Sequence, residues 1–433
     1  MSTQPVQFLG PENDSTCKRC GEEKAVLVSR RDLFCSGCFV WFMRGKQRKS
    51  MLHERYKVKY GAVADRLGVQ KVLLPVSFGA SSLVLLDMVA SLLQEQNLAH
   101  SGKQGFDLVL LHILEEKGPD REEAESKLSA LAQRYSPVAV DVVVIDPDTF
   151  LLDKNSLQRI QVGADFHVIH QSHKLSKDVT VQSLLENCVS NSSRADLLQL
   201  VYHDIIVQNA VSKGCQTVIL GHSMTRLASE VLSLAVKGRG AEIHQAIADR
   251  SFPHGDQELH ILFPLRDILF AEVQAVLDLT EGLSSFLVQK TVASTLVKNM
   301  TVQALSTKYF EDLGANGYAS TASTVVKTAE KLGAPKNEVT GKCRVCSADI
   351  HTKPKSWLQS ITVKAAAPLE TDLERDLAQE YDEVIGTNEL QGKELDVCYG
   401  CTVTLLGAGD KFAWPARASK EEILDEFILD DDE

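Results

Sequence analysis

No apolar run in this chain approaches the roughly 20 residues that cross a bilayer. Its first stretch, MSTQPVQFLGPENDST, lacks the basic and apolar organisation of a secretory signal. Both absences argue against a helical membrane protein and predict a soluble, intracellular chain. Positive charge is also in short supply. With 46 Lys and Arg against 58 Asp and Glu, the net charge of −12 argues against wholesale wrapping of nucleic acid. No base follows Lys420, which leaves the end, EEILDEFILDDDE, acidic and apolar. What is present is ordinary for a globular protein: 44% apolar residues and 24% charged, enough to bury a real core. The length of 433 residues suggests three regions, divided here as 1–62, 63–335 and 336–433.

Cysteine usage sets the two ends apart. Eight of the ten cysteines form four C-x-x-C pairs, and in a reducing compartment that spacing favours metal over disulfides. Cys17, Cys20, Cys35 and Cys38 have zinc-ribbon spacing, in which two tight turns present four thiolates to one tetrahedral ion. Cys343, Cys346, Cys398 and Cys401 repeat the grammar across a gap of about fifty residues and predict a second zinc site. Behind the first site runs FVWFMRGKQRKSMLHERYKVKYG, read as one basic helix packed through Phe39, Trp41, Phe42, Met43 and Leu52. Its cations, Arg44, Lys46, Arg48, Lys49, Arg55, Lys57 and Lys59, face a single acid, Glu54. A local basic patch on an acidic chain suits docking to a polyanion at one place; a solvated helix face is the plainer reading.

From Lys71 to Pro264 short β-branched runs (Val72–Val76, Phe106–Ile113, Val138–Ile145, Thr217–Leu220) alternate with segments of helical spacing. That alternation predicts parallel βαβ units in a doubly wound, Rossmann-like sheet. The connection 146–184 reads as a long polar loop; its His167, His170 and His173 form a weak metal pattern without acid or cysteine partners. The organising stretch is KVLLPVSFGASSLVLLDMVASLLQ: a buried strand, the turn Ser77–Ser82, then a helix. Such a turn is where α/β proteins hold phosphate. The alternative is a tight turn whose Ser81 or Ser82 caps the helix for stability alone.

The turn Ser-Phe-Gly-Ala-Ser-Ser resembles, in degenerate form, the Ser-Gly-Gly-x-Asp-Ser loop of the PP-loop ATP pyrophosphatases. With the cysteine pairs and the later Gly221-His222, it is similar to the eukaryotic tRNA 2-thiolation proteins, and most to the cytoplasmic tRNA 2-thiolation protein 2 branch. The resemblance implies an adenine nucleotide alpha hydrolase-like fold, a cytoplasmic location and two structural zinc ions. It also implies a heterodimer with a catalytic PP-loop paralogue, tRNA as partner, and sulfur from a ubiquitin-like carrier. The substrate it implies is wobble uridine 34 of the tRNAs for Lys, Glu and Gln. In the active family ATP adenylates the uridine oxygen and sulfur then displaces AMP.

Ser77, Gly79 and Ser82 match the loop, and Gly221 and His222 match the second motif, Gly-His-Asn-x-Asp-Asp. Phe78 stands where the family has Gly, and its phenyl group is expected to obstruct the approach of backbone to phosphate. Ser81 replaces the Mg²⁺-holding Asp, while Thr225 and Arg226 replace both acids of the second motif. These departures put ATP binding in doubt. The family's catalytic C-x-x-C falls at Cys188-Val-Ser-Asn191, and no cysteine lies between Cys215 and Cys343, so no iron–sulfur cluster is expected in this chain. The resemblance therefore implies a pseudo-enzyme with no catalytic residues, Cys188 and Cys215 being small buried hydrophobes. The rivals are an active ATP-dependent sulfurtransferase, an interaction scaffold, and an α/β hydrolase. In the last, VILGHSM would be the elbow and Ser223 the nucleophile, although Thr225 occupies its last Gly position.

Overall fold

The protein is described from a computed structural model, covering residues 5–116, 118–151, 157–163, 166–172, 179–254, 257–288, 297–362, 368–387, 393–409 and 412–415. By packing, the chain divides into two compact units and not along the three consecutive stretches read from the sequence. One comprises 1–147, 202–236 and 242–333; the other comprises 148–201, 237–241 and 334–433.

The first unit is built on a six-stranded sheet. Its order is Arg250–His254, Gln257–Leu262, Thr217–Ile219, Gln70–Pro75, Phe106–Ile113, Val140–Ile145. All neighbours run parallel except the first pair, a hairpin at the edge. The doubly wound α/β fold expected from the alternating pattern is therefore present. Strand periodicity explains the core. Val72, Leu74, Leu108 and Leu110 enter one apolar cluster, whereas Leu73, Val109 and Leu111 enter the other, on the opposite face. Such strands, apolar at successive positions, must be covered on both sides. The helix Ala80–Ala99 is itself apolar nearly all round and is correspondingly enclosed, with Leu83 to Leu86 fully buried.

The chain starts this sheet in the middle. It winds outward from Gln70–Pro75 through Phe106–Ile113 to Val140–Ile145, then returns to place Thr217–Ile219 on the other side of Gln70–Pro75. The order reverses between those two strands, so the crevice at their carboxyl ends is the ligand position of an open α/β sheet. The Ser77–Ser82 turn and Gly221-His222 both follow these strands directly.

The N-terminal cysteine region belongs to this unit. Strands Val6–Phe8, Leu27–Ser29 and Asp32–Phe34 form a small antiparallel sheet leading into the helix Ser36–Lys49. Leu27, Phe34, Phe39 and Met43 join the same apolar cluster as the large sheet. The expected single basic helix is shorter than read. It stops at Lys49, a 3-10 turn follows at Glu54–Tyr56, and Gly61–Leu67 is a separate short helix. Arg55, Lys57 and Lys59 thus lie off the helix. Of its expected packing residues, Phe39 and Met43 are fully buried and Phe42 partly so, but Trp41 and Leu52 are exposed. The Arg19 guanidinium lies 4.0 Å over the Trp41 ring, which gives that exposed aromatic a cation–π partner instead of a core.

In the second unit the region read as a long loop contains a hairpin, Leu157–Val162 with Val168–Ser172. It was not legible as strands because its partners lie far along the chain: Lys393–Glu394 pairs with the latter and Ala413–Pro415 with the former. Trp414 is buried here, its ring 5.2 Å from Phe150 and 5.6 Å from Phe412. His167 meets Glu394 and His170 meets Gln158, so neither stands in a metal cluster, and His173 lies outside the described residues. Positions three apart in extended chain point to opposite faces, so His167 and His170 do not converge.

Candidate functional site

Both sets of four cysteines come together. In each, all four sulfurs lie within 4.8 Å of one another. One edge of the C-terminal set, Cys346 Sγ to Cys398 Sγ, measures 3.7 Å. A tetrahedral centre with metal–sulfur bonds of about 2.3 Å has edges of about 3.8 Å, so the thiols fit a single ion.

The two sites are built alike. The first pair of each forms a knuckle closed by a backbone bond, Gly21 N–H to Cys17 O at 2.8 Å and Ser347 N–H to Cys343 O at 2.9 Å. Gly21 has φ of 70° and Ser347 φ of 61°, the left-handed turn that Gly adopts freely and Ser at some cost. The second pair opens a helix. Cys35 and Cys398 are N-caps, their sulfurs accepting from Cys38 N–H and Cys401 N–H at 3.4 Å. Partial positive charge at a helix N-terminus favours thiolate there. Burial opposes ionisation of Cys17, but hydrogen bonds from the Cys20, Cys35 and Arg19 backbone and the Cys20 side chain outweigh it, bringing the thiol to about 6. Burial likewise opposes ionisation of Cys343, and contacts from Cys346, Cys398 and Cys401 hold it well below the usual thiol range. Their neighbours go the other way: burial raises Cys35 and Cys38 in one set, and the adjacent thiols and burial raise Cys398 and Cys401 in the other.

The turn at the sheet's crevice is different in kind. Phe78 carries φ of 54°, the backbone that a glycine would take without strain. Its ring does not stand over the turn as expected from the sequence. It is fully buried, with its centroid 4.7 Å from that of His112, and its carbonyl accepts from Val288 N–H at 3.0 Å. The helix is capped by Gly79 without a side-chain bond, not by Ser81 or Ser82. Ser82 Oγ donates back to Gly79 O at 2.9 Å and lies 3.5 Å from Ser77 Oγ. Gly221 is needed where it stands, because a Cβ there would meet Ser81 O at 3.1 Å and Ser82 N at 3.3 Å. The turn and the second motif are therefore in van der Waals contact.

His222 stacks on Phe263 at 5.3 Å between centroids, and its Nδ1 is buried without a hydrogen-bond partner. Burial, helped by Arg226, brings its pKa down to about 3, so the ring is neutral at physiological pH. An imidazole that stays neutral in the folded state but protonates near 6.5 when unfolded must cost stability as pH falls from 6.5 toward 3. His222→Gln should flatten that acid limb of the urea midpoint; parallel limbs in both proteins would overturn the assignment. Thr225 Oγ1 accepts from Phe270 N–H at 3.0 Å and Arg226 lies 3.9 Å from Glu230, so the two positions without acids serve the packing. Ser223 is buried, its Oγ accepting from Arg226 N–H at 3.3 Å. A serine turned inward to cap a helix is not presented to a substrate, contrary to the elbow reading. Cys215 is buried and pushed up to about 11, and half-buried Cys188 is also raised by burial. Neither is placed as a reactive thiolate.

The basic segment is largely neutralised from within. Arg44 pairs with buried Asp87 at 3.0 Å, Lys46 lies 3.7 Å from buried Glu272, and Arg48 pairs with Glu95 at 2.5 Å. Burial brings the Lys46 ammonium down to about 8, against the pull of Glu272. Lys57 pairs with Glu54, and Lys59 donates to Arg55 O. Exposed Lys49 enters no such pair among the described residues, and Arg55 donates to His53 Nδ1. Sequence counting missed the acids because they come from distant positions 87, 95 and 272. Glu272 had a local signal, lying three residues after the N-cap Leu269, whose N–H it accepts at 2.9 Å.

Comparison with known proteins gives the family. The model of the family cytoplasmic tRNA 2-thiolation protein 2 matches residues 301–403. Proteins of that name from Scheffersomyces stipitis and Debaryomyces hansenii are each 46% identical over 446 aligned positions, covering 99% and 100% of this chain and 99% of theirs. The Saccharomyces cerevisiae protein of that name is 30% identical and covers 96% of this chain and 99% of its own. Among solved structures, the U34-tRNA thiolase NcsA from Methanococcus maripaludis, with its 4Fe-4S cluster, aligns at a TM-score of 0.49. It is 15% identical, over 82% of this chain and 98% of that one. The relatives are named as cytoplasmic, and no helix among the described residues is long and apolar enough to span a membrane. With identity of this level running the length of both chains, the protein belongs to the cytoplasmic tRNA 2-thiolation protein 2 family.

Proposed function

We propose that this chain is the non-catalytic subunit of a cytosolic tRNA thiolation complex, needed for 2-thiolation of wobble uridine 34 in the tRNAs for Lys, Glu and Gln. A catalytic PP-loop paralogue, its heterodimeric partner, supplies the nucleotide site and the reactive cysteines. The sulfur comes from a ubiquitin-like carrier that this chain meets only indirectly. One observation carries the non-catalytic part. The crevice keeps the fold's geometry, yet Ser81, Thr225 and Arg226 stand at its acid positions, the last two turned to packing and ion pairing. Without those carboxylates the crevice has nothing at these positions to hold Mg²⁺ against pyrophosphate.

Each cysteine set holds one structural zinc ion in this reading. An all-thiolate tetrahedral set suits zinc, and sulfurs this close together suit one ion better than a cluster that gives each iron its own thiolate. When bound, the ions supply folding energy and no chemistry. Contact with tRNA falls to the less neutralised end of the basic segment, Lys49, Arg55, Lys57 and Lys59, with Arg44, Lys46 and Arg48 mainly holding the fold. Phosphate contacts of this kind position the tRNA without choosing its sequence.

The test is mass spectrometry of wobble 2-thiouridine in tRNA from cells depleted of this chain. The thiolated nucleoside should disappear and its unthiolated precursor accumulate; unchanged thiolation would sink the assignment. The purified chain alone should show no ATP–pyrophosphate exchange, and exchange by it would restore the active-enzyme reading.

A further inference from the structure

The two cysteine sites differ in one respect that their matching geometry hides. At the C-terminal site the buried side chain of Arg239, drawn from the 237–241 segment, lies against the ligands. Its Nη2 is 3.9 Å from Cys401 Sγ and donates to Thr404 Oγ1 at 2.7 Å. The hydroxyl of Thr404 in turn donates to Gly400 O at 3.0 Å, which fixes the guanidinium over the first turn of the helix Tyr399–Leu406. Gly400, between the two ligands Cys398 and Cys401, makes the room. A Cβ there would fall 2.5 Å from Arg239 Cγ and 2.8 Å from its Nε.

A cation at the positive end of a helix is misplaced unless negative charge lies there too. Four thiolates around a divalent ion carry a net charge of −2, and three of the four cysteines, Cys343, Cys398 and Cys401, are buried. We propose that Arg239 is the outer cation of the C-terminal metal site. It offsets part of that charge and donates an N–H to Cys401 sulfur, which slows loss of the metal. The N-terminal site is served differently. Lys18 and Arg19, inside its first knuckle, turn to Asp32 and to the Trp41 ring. The C-terminal site should therefore hold its ion longer.

This inference rests on the zinc reading of the cysteine sets, and one experiment separates the two. Purified full-length protein is assayed for metal content, then for release of zinc to a chromogenic chelator. Two equivalents should leave at distinct rates, the slower belonging to the C-terminal site. Arg239→Met should accelerate that slow phase about tenfold or more, the usual weight of a group hydrogen-bonded to a metal ligand, and leave the fast phase as it was. Arg239→Lys, which keeps the charge but not the fork, should fall between, and it carries the test if the Met variant does not fold. Unchanged release in either folded variant would overturn the role of Arg239, as would equal acceleration of both phases, which reports general loosening. Absence of metal from the wild-type C-terminal site would instead overturn the zinc reading.

Discussion

Replacing Cys17 and Cys35 by Ser should abolish the cooperative fold of the first unit, not merely free a surface finger. Serine keeps an acceptor at the Cys35 cap position, so the double variant removes the four-thiol set proposed to hold zinc but not the N-cap of the helix Ser36–Lys49. The loss is therefore assignable to the ion. Structural zinc contributes about 10–16 kcal/mol in isolated finger peptides, against a whole-domain stability of about 5–15 kcal/mol. Leu27, Phe34, Phe39 and Met43 sit in the same cluster as the sheet residues Val72 and Leu108. Release of the hairpin would thus expose a face of the main core. The expected result is one zinc equivalent fewer, loss of near-ultraviolet dichroism and poor solubility. A double variant that binds one ion less yet unfolds at the wild-type urea midpoint would show that the region is an appendage.

Glu272→Ala should cost about 3–5 kcal/mol, the scale for stripping one member from a buried ion pair. The Glu272 side chain is fully buried. It takes both prongs of Arg30, at 2.6 and 2.9 Å, and accepts from Ser29 Oγ at 3.3 Å and from Leu269 N–H at 2.9 Å. Lys46, its other cation, is almost as enclosed. Removing the carboxylate leaves that ammonium buried beside the Arg30 guanidinium. The pair also holds a strained turn, since Arg30 and Arg31 have φ of 51° and 75°, values that a two-residue hairpin usually assigns to Asn and Gly. Lys46→Met in the Glu272→Ala background should recover part of the loss by deleting the stranded charge. A loss under about 1 kcal/mol, the scale of a surface ion pair, would refute this account.

Much of this is legible in the sequence. Val72, Val109 and Val142 announced parallel strands because a sheet covered on both faces needs apolar side chains at successive positions. The cysteine spacing announced two groups of four thiols that could each hold a metal ion, because a knuckle fixes its members locally. What escaped depends on distance. The charge of Arg44, Lys46 and Arg48 is cancelled by acids that no window around residue 46 contains. Phe78 looked like an obstruction because sequence shows the side chain's size but not which way a left-handed residue turns it. The hairpin at 157–172 looked like a loop because each of its strands finds an outer partner more than two hundred residues later.

That last pairing has a consequence for synthesis on the ribosome. Arg159 waits for Ala413, 254 residues downstream. At about 5–20 residues per second, the strand Leu157–Val162 stays unpaired on that edge for roughly 13–50 s after it is made. Bare strand edges recruit one another, so the nascent chain is expected to need shielding by a holding chaperone over that interval. A chain released before Ala413–Pro415 is translated would keep its large sheet and lack the means to close the small one.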